Sequence, residues 1–364
     1  MCRELKNRER MREEWIDRWK GLLISLVVLG HAVGVAAHFA HGMTREMFVF
    51  LYKAIYCFHM PAFFCVTGYV WRRKDGEGLQ AFCWKKFKRL IVPYLIFATI
   101  SAVIYYFTSG AFGTAVHNAT DVYYAKKGTM PTALGLFLSI VHAGGWPNSG
   151  VFRANSVLWF LPVMFALCVS YRCIDEWIPN VRVQIFLAVV SLVGGHYIPR
   201  NLPWGISLLP YYLPFLVVGR LCGPKLMASA QGGIGQVVVI GILYFVLCWI
   251  TPNAYLKTQH LSWRVCFALL ALLGVYFSAI VAREVKVRFL LSLGVSSLGI
   301  MLMHKYVILA LGMKVPIIRS YYDGHMFMAM IVVVGVSSAA LLLSYGMTGL
   351  VERYCPEALG GRHK

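Results

Sequence analysis

Gly21–Phe39 reads GLLISLVVLGHAVGVAAHF, 19 residues without Asp, Glu, Lys or Arg, preceded by Asp17, Arg18 and Lys20. A helix rises about 1.5 Å per residue, so this run crosses a hydrocarbon layer roughly 30 Å thick. Such a layer offers no water to backbone N–H and C=O groups, and helix is the conformation that satisfies them internally. Nine further apolar runs follow: Phe48–Trp71, Lys88–Thr108, Val157–Ile174, Val183–Ile198, Ile206–Cys222, Ile234–Thr251, Trp263–Ala282, Phe289–Met313 and Met326–Val351. The expected fold class is all-α, a polytopic membrane protein with about ten transmembrane helices. Composition agrees: 59% of the residues are hydrophobic and 14% charged, against about 25% charged in an ordinary soluble domain.

An even number of spans puts both termini on one side. With the N-terminus inside, 24 of the 35 Lys and Arg residues fall on inner segments and nine on outer ones, Lys53 and Lys305 lying within spans. Positive charge concentrates on the cytoplasmic side of membrane proteins, so both ends are expected in the cytoplasm and the chain in the inner (plasma) membrane. Residues 1–20 read as a cytoplasmic interfacial amphipathic segment, with Leu5, Met11, Trp15 and Trp19 among basic residues. Residues 21–351 form the transmembrane domain and 352–364 a cytoplasmic tail. No small-residue cleavage site follows the first apolar run, so a cleavable signal peptide is not expected.

The net charge of +20 does not point to nucleic acid. The cations flank membrane spans, where they set orientation and meet anionic lipids, and no nucleic-acid-binding module is visible. The ten cysteines never form Cys-x-x-Cys, so neither a disulfide framework nor a metal site is expected. One long outer connection, Ser109–Ser156, holds Asp121, Lys126, Lys127, the apolar stretch Leu134–Val141 and the turn Gly144-Gly145-Trp146-Pro147. Its apolar content favours a lid or re-entrant element over disorder.

Ionisable side chains deep in a bilayer are costly, and each is a functional candidate. His31 stands mid-span, 11 residues after Lys20. At about 100° per residue the two share a helix face, separated along the axis by roughly 16 Å, with Asp17 on nearly the same stripe. A ligand with an anionic end at the cytoplasmic rim and a reactive end at mid-membrane fits that spacing, as coenzyme A does. The plain alternatives are a packed neutral histidine and a snorkelling lysine. His59, in Phe58-His59-Met60-Pro61, lies at similar depth, and Pro61 is expected to bend its helix and free backbone groups. Thr67 and Gly68 follow, small enough for close helix approach. His304 sits in the outer half of its span. His59 and His304 each read equally as a packing residue. Arg72, Arg73, Lys74, Lys85, Lys86, Lys88 and Arg89 crowd the inner face between the second and third spans. Orientation and a grip on nucleotide phosphates explain that cluster equally well.

On these residues the sequence resembles the acyltransferase-3 family of integral membrane acyltransferases, in the branch similar to fucose 4-O-acetylases, over nearly its whole length. Trp15–Gly21 running to Leu29-Gly30-His31 looks like the family's basic residue, ten-residue gap and histidine in the first helix. Phe58–Tyr69 resembles its His-Met-Pro-x-Phe-Phe and Ser-Gly-Tyr element, with Thr67 in place of serine. Lys85–Pro93 is similar to its basic inner loop, reading Lys86-x-x-Arg89 where the family has an arginine pair. Val157–Leu161 and Ser297–His304 resemble its Leu-Trp-Phe-Leu and late histidine elements. The resemblance implies ten transmembrane helices, an acyl-CoA donor on the cytoplasmic side, an essential histidine at His31 and a sugar acceptor.

The expected chemistry is attack of a carbohydrate or lipid-linked glycan hydroxyl on the thioester of acetyl-CoA or another acyl-CoA, without a metal. A hydroxyl needs a base within hydrogen-bond reach, and neutral imidazole serves at cellular pH. His31 and Asp17 are the catalytic candidates, Asp17 as organiser of the cytoplasmic entrance. Lys20, Lys86, Lys88, Arg89, Arg72 and Arg73 are the donor-binding candidates. His59, Thr67, Trp159 and His304 are the acceptor-binding candidates. An acyl-histidine intermediate is an open variant. The rival class is a transporter or flippase of a lipid-linked glycan or acyl compound, which also needs a polar intramembrane cavity but no thioester.

Overall fold

The computed structural model describes residues 2–72, 76–108, 133–143, 155–199, 202–224, 233–251 and 261–361, and all regular structure among them is helical. In chain order the helices are α1 (Cys2–Phe39), α2 (Gly42–Tyr56), α3 (His59–Tyr69), α4 (Leu79–Lys86), α5 (Val92–Thr108), α6 (Ala133–His142), α7 (Phe160–Trp177), α8 (Val181–Gly194), α9 (Leu209–Leu221), α10 (Gly233–Ile250), α11 (Leu261–Glu284), α12 (Arg288–Val295), α13 (Ser297–Lys314), α14 (Pro316–Tyr322) and α15 (Met326–Tyr354). A π-helical stretch, Phe87–Ile91, joins α4 to α5. The chain forms two units. One comprises Met1–Trp71, Phe215–Ile308 and Ile317–Thr348; the other comprises Arg72–Pro214, Leu309–Pro316 and Gly349–Lys364.

Among the described residues, seven helices are long and apolar enough to cross a membrane: Glu14–Phe39, Gly42–Tyr69, Leu79–Ile104, Pro203–Leu221, Gly233–Ile250, Arg264–Glu284 and Met326–Tyr354. Arg288–Val295 and Ser297–Gly312, bent by 88° at their junction, make an eighth if counted as one span. The fourth and fifth expected spans differ for identifiable reasons. Helix α7 carries Arg172, Asp175 and Glu176 near its C-terminus. Helix α8 has 14 residues and tightens into a 3-10 turn at Gly195–Tyr197, leaving it short for a bilayer. Of the long connection, Leu134–Val141 lies in α6, where the Ile140 carbonyl accepts a hydrogen bond from Tyr94 Oη at 2.8 Å. Asp121, Lys126, Lys127 and Gly144–Pro147 fall outside the described residues.

The N-terminal residues join the first span without a break. Trp15 and Trp19, expected at an interface, are buried to 6% and 0% exposure. Their rings stack at 5.7 Å, Arg283 lies 4.7 Å over Trp15, and Trp19 Nε1–H donates to Ser278 Oγ at 3.0 Å. Such inter-helix packing is open to a ring whose N–H reaches a polar partner.

Glycine sets the helix spacing in this first unit. A Cβ on Gly21 would overlap the Leu290 carbonyl oxygen, and one on Gly294 the Asp17 carbonyl oxygen. Helices α3 and α9 repeat the device: Gly68 faces the Leu216 carbonyl and Gly219 the Cys65 carbonyl. Lipid gives apolar helices no hydrophobic reason to associate, so close backbone approach over small residues supplies the packing.

The span Gly42–Tyr69 breaks where Pro61 requires it. Proline has no N–H and its ring crowds the carbonyl four residues back, and α2 ends at Tyr56 while α3 begins at His59. Phe58 N–H turns to the Ile55 carbonyl, and the Ala54 carbonyl accepts instead from Tyr244 Oη. Lys53, buried near the end of α2, donates to the Cys248 carbonyl and to the Thr251 carbonyl at 3.4 Å, capping α10 with a cation. Last-turn carbonyls lack intrahelical donors and carry the negative end of the helix dipole. Lys53→Met should therefore lower stability by about 1.5–3 kcal/mol, the worth of hydrogen bonds to a charged group. Thermal melting of the detergent-purified protein checks this; an unshifted melt would mean water or lipid serves those carbonyls as well.

Candidate active site

Four helices of the first unit bring one cluster together. Helix α1 contributes His31, α2 contributes Tyr52 and Tyr56, α3 contributes His59, and α13 contributes His304. His31 is half-buried, whereas His59 and His304 are buried. The His31 and His304 rings lie 5.2 Å apart at 40°. Tyr56 Oη lies 3.0 Å from His31 Nδ1 and 3.4 Å from Nε2. The edge of His59 meets Tyr56 at 4.7 Å.

Hydrogen bonds fix the tautomers of two of the histidines. His59 Nδ1 lies 2.8 Å from the Ile55 carbonyl and His304 Nδ1 lies 2.9 Å from the Ile300 carbonyl. A carbonyl only accepts, so each Nδ1 carries the hydrogen and each Nε2 keeps its lone pair. His304 Nε2 is buried without a hydrogen-bond partner. A buried acceptor left unpaired in a protein interior is costly. Lys305, next in sequence to His304, is 6% exposed and adds a cation at that depth.

Sequence reasoning reached the three histidines but missed Tyr52 and Tyr56. Their signal was the four-residue spacing, which puts both on one face of α2, opposite the small-residue pair Gly30 and Gly34 on α1. A Cβ on Gly30 would meet the Tyr56 ring at 2.9 Å, and one on Gly34 the Tyr52 ring at 3.1 Å.

Toward the N-terminus of the same helix, Lys20 pairs with Asp17, both half-buried. The carboxylate's partner is thus Lys20 itself. Thr67 donates its hydroxyl hydrogen to the Phe63 carbonyl at 2.9 Å.

The remaining candidates belong to the second unit. Lys86 is half-buried, its ammonium 5.5 Å from the Phe82 ring. Lys88 and Arg89 are exposed, Lys88 lying 5.1 Å over Trp84. Arg72 is exposed, and Arg73 falls outside the described residues. Trp159, at the start of α7, stacks on Tyr212 at 5.8 Å and 23°. Among the described residues no three His, Cys, Asp or Glu side chains converge in a way that could hold a metal ion.

Comparison with known proteins gives two matches. The model of the family Acyl_transf_3, described as an acyltransferase domain, matches residues 13–349. Nodulation protein NolL of Mesorhizobium japonicum is 23% identical over 210 residues, covering 56% of this chain and 46% of its own length. The chain therefore spans about half the length of that curated relative. No solved structure matches.

Proposed function

This chain belongs to the Acyl_transf_3 family of acyltransferase domains, and on that premise we propose that it moves an acyl group, acetyl by preference, from acyl-CoA to a hydroxyl of a carbohydrate acceptor. The observation that carries this reading is the half-buried imidazole of His31, set among His304, His59 and Tyr56 inside the membrane spans, on the same helix as the Asp17–Lys20 pair. In the reaction the acceptor hydroxyl gives its proton to His31 as its oxygen attacks the thioester carbonyl. The carbon–sulfur bond then breaks and the coenzyme A sulfur takes up a proton. Base catalysis of this kind contributes about 10²–10⁴-fold.

Lys20, held by Asp17, marks the cytoplasmic entrance and contacts the donor phosphates. The cations Arg72, Arg73, Lys86, Lys88 and Arg89 add positive field for the polyanionic donor, which steers its approach. His59, Thr67 and His304 offer polar contacts to the acceptor, and Trp159 on Tyr212 offers an aromatic face to a sugar ring. If α7 and α8 complete the crossings, the spans number ten. Both termini then lie on one side, which the basic bias places in the cytoplasm of a plasma-membrane protein.

The test is donor binding and turnover by the purified full chain in nanodiscs. Acetyl-CoA should bind saturably, with acetyl transfer to a hydroxyl acceptor. Lys20→Gln should weaken binding about tenfold, the worth of one charged contact. Saturable glycan binding without acetyl-CoA binding or transfer would point instead to a transporter.

A further inference from the structure

We propose that Arg18, Arg220 and Arg283 form a headgroup site for an anionic glycerophospholipid of the inner leaflet, on the side of α1 away from the histidine cluster. The site needs neither donor nor acyl transfer, so it stands or falls apart from them.

Three helices deliver the cations to one end of the first unit. Arg18 lies on α1, Arg220 in the last turn of α9 and Arg283 in the last turn of α11. A pair of aromatic rings ties these ends together. Trp15 meets Tyr69, at the end of α3, edge-on at 5.6 Å, and the Arg283 guanidinium lies 4.7 Å from the Trp15 ring. Helices α3 and α9 touch beside the same ring. A Cβ on Gly68 would come within 2.9 Å of the Arg220 backbone nitrogen, and one on Gly223 within 2.7 Å of the Tyr69 ring. Arg18 follows Trp15 by one helical turn.

Each of the three side chains is half-buried, and each Nε is sealed from solvent without a hydrogen-bond partner. Among the described residues no carboxylate lies within ion-pair reach of any of them, and Asp17, beside Arg18 in the chain, pairs with Lys20. Partly desolvated cations without a counter-charge are costly. A phosphate supplies both the charge and the acceptor geometry that a guanidinium fork matches.

Position decides which phosphate. Arg18 and Trp15 precede His31 by 13 and 16 residues on one continuous helix. At about 100° per residue they lie about 140° and 160° round α1 from it, whereas Lys20 shares its face. A donor with its phosphates on the arginines would have α1 between its thioester and His31. The apolar surroundings suit a lipid instead. Val70, Val285 and Phe289, which follow Tyr69 and Arg283 closely in the chain, are exposed and offer acyl-chain contacts beside the cations. The charge bias assigns this end of the spans to the cytoplasm, where basic pockets between helices take anionic headgroups. A zwitterionic headgroup carries an ammonium that three guanidinium groups repel, so the ligand is of the phosphatidylglycerol kind.

Native mass spectrometry of the purified full chain, titrated with phosphatidylglycerol or phosphatidylcholine, tests this. The wild type should retain one phosphatidylglycerol, about tenfold more tightly than phosphatidylcholine. Arg283→Gln should weaken it about tenfold, the worth of one charged contact. Arg283→Lys, which keeps the charge but not the fork, should fall between. Replacing all three arginines by glutamine should abolish the preference and leave acetyl-CoA binding unchanged. Arg182→Gln, Lys286→Gln and Arg353→Gln together remove the same charge from exposed positions. That variant should stay within about twofold of the wild type, because exposed charges are screened. A wild type that does not prefer phosphatidylglycerol overturns the proposal with no variant needed, so a triple variant that fails to fold does not protect it. Equal loss in the exposed-charge variant overturns it in favour of a diffuse surface field. Loss of acetyl-CoA binding with phosphatidylglycerol binding intact also overturns it, and hands the arginines to the donor phosphates.

Discussion

His31→Ala should reduce acyl transfer about 10²–10⁴-fold, equivalent to about 3–5 kcal/mol of transition-state stabilisation. The expectation rests on position. His31 is the half-buried member of a cluster whose other histidines are buried, so it is the imidazole with surface left for a substrate. Binding of acetyl-CoA should persist if, as proposed, the anionic end of the donor is held near Lys20, about 16 Å along the helix. His31→Gln is the more discriminating variant. Its amide keeps a polar group beside Tyr56, so it tests loss of the base apart from loss of that polar contact, and its deficit should match that of alanine. Purified protein is needed for both, with kcat normalised to the monodisperse fraction. Wild-type turnover by either variant would remove His31 from the chemistry and leave its neighbours as packing residues.

The sequence made the apolar runs plain, because bilayer length and backbone satisfaction leave a run of 19 uncharged residues few other uses. It was less informative where polar residues are paired inside the fold. Arg172, in the last turns of α7, is 3% exposed and donates to the Glu77 carbonyl at 2.9 Å. Nothing in local sequence shows that a charge near a helix end has such a partner. The bend of 88° between α12 and α13 was also hidden, since no proline marks it and Phe289–Met313 reads as one continuous run. The break before His59 was legible, because Pro61 forces it.

The candidate site divides in the same way. Depth along a span can be counted from sequence, so His31, His59 and His304 stood out singly as costly residues. Their convergence could not be counted, because it depends on how each helix is rotated about its axis. Tyr56 escaped attention because tyrosine is common at membrane interfaces. Only the facing glycines, Gly30 and Gly34, hinted that its ring had somewhere close to lie.

The second large effect concerns Gly294, which lies far in sequence from His31 but controls the same cluster. Gly294→Ala should abolish most of the monodisperse protein, and Gly294→Val all of it. A Cβ at this position would overlap the Asp17 carbonyl oxygen and lie 3.0 Å from the Gly21 backbone nitrogen. Both contacts are backbone atoms of a continuous helix, so no side-chain rotation relieves them and α12 must move off α1. Ordinary overpacking of a core costs about 1–3 kcal/mol because side chains give way. Displacing a helix costs more, against a total stability of about 5–15 kcal/mol. Gly335→Ala, in α15, is the matched control, since nothing lies within 4 Å of its added Cβ. Its fluorescence-detected gel-filtration profile should match the wild type. The functional consequence follows from chain order. Helix α12 seats on the Asp17 turn, the chain bends after Val295, and α13 then carries His304 to within 5.2 Å of His31. Any residual Gly294→Ala protein should therefore be poorly active as well as unstable, because the contact that seats α12 also fixes where α13 begins. Wild-type yield and turnover in that variant would mean that α1 and α12 lie further apart than this crossing requires, and would release His304 from its place beside His31.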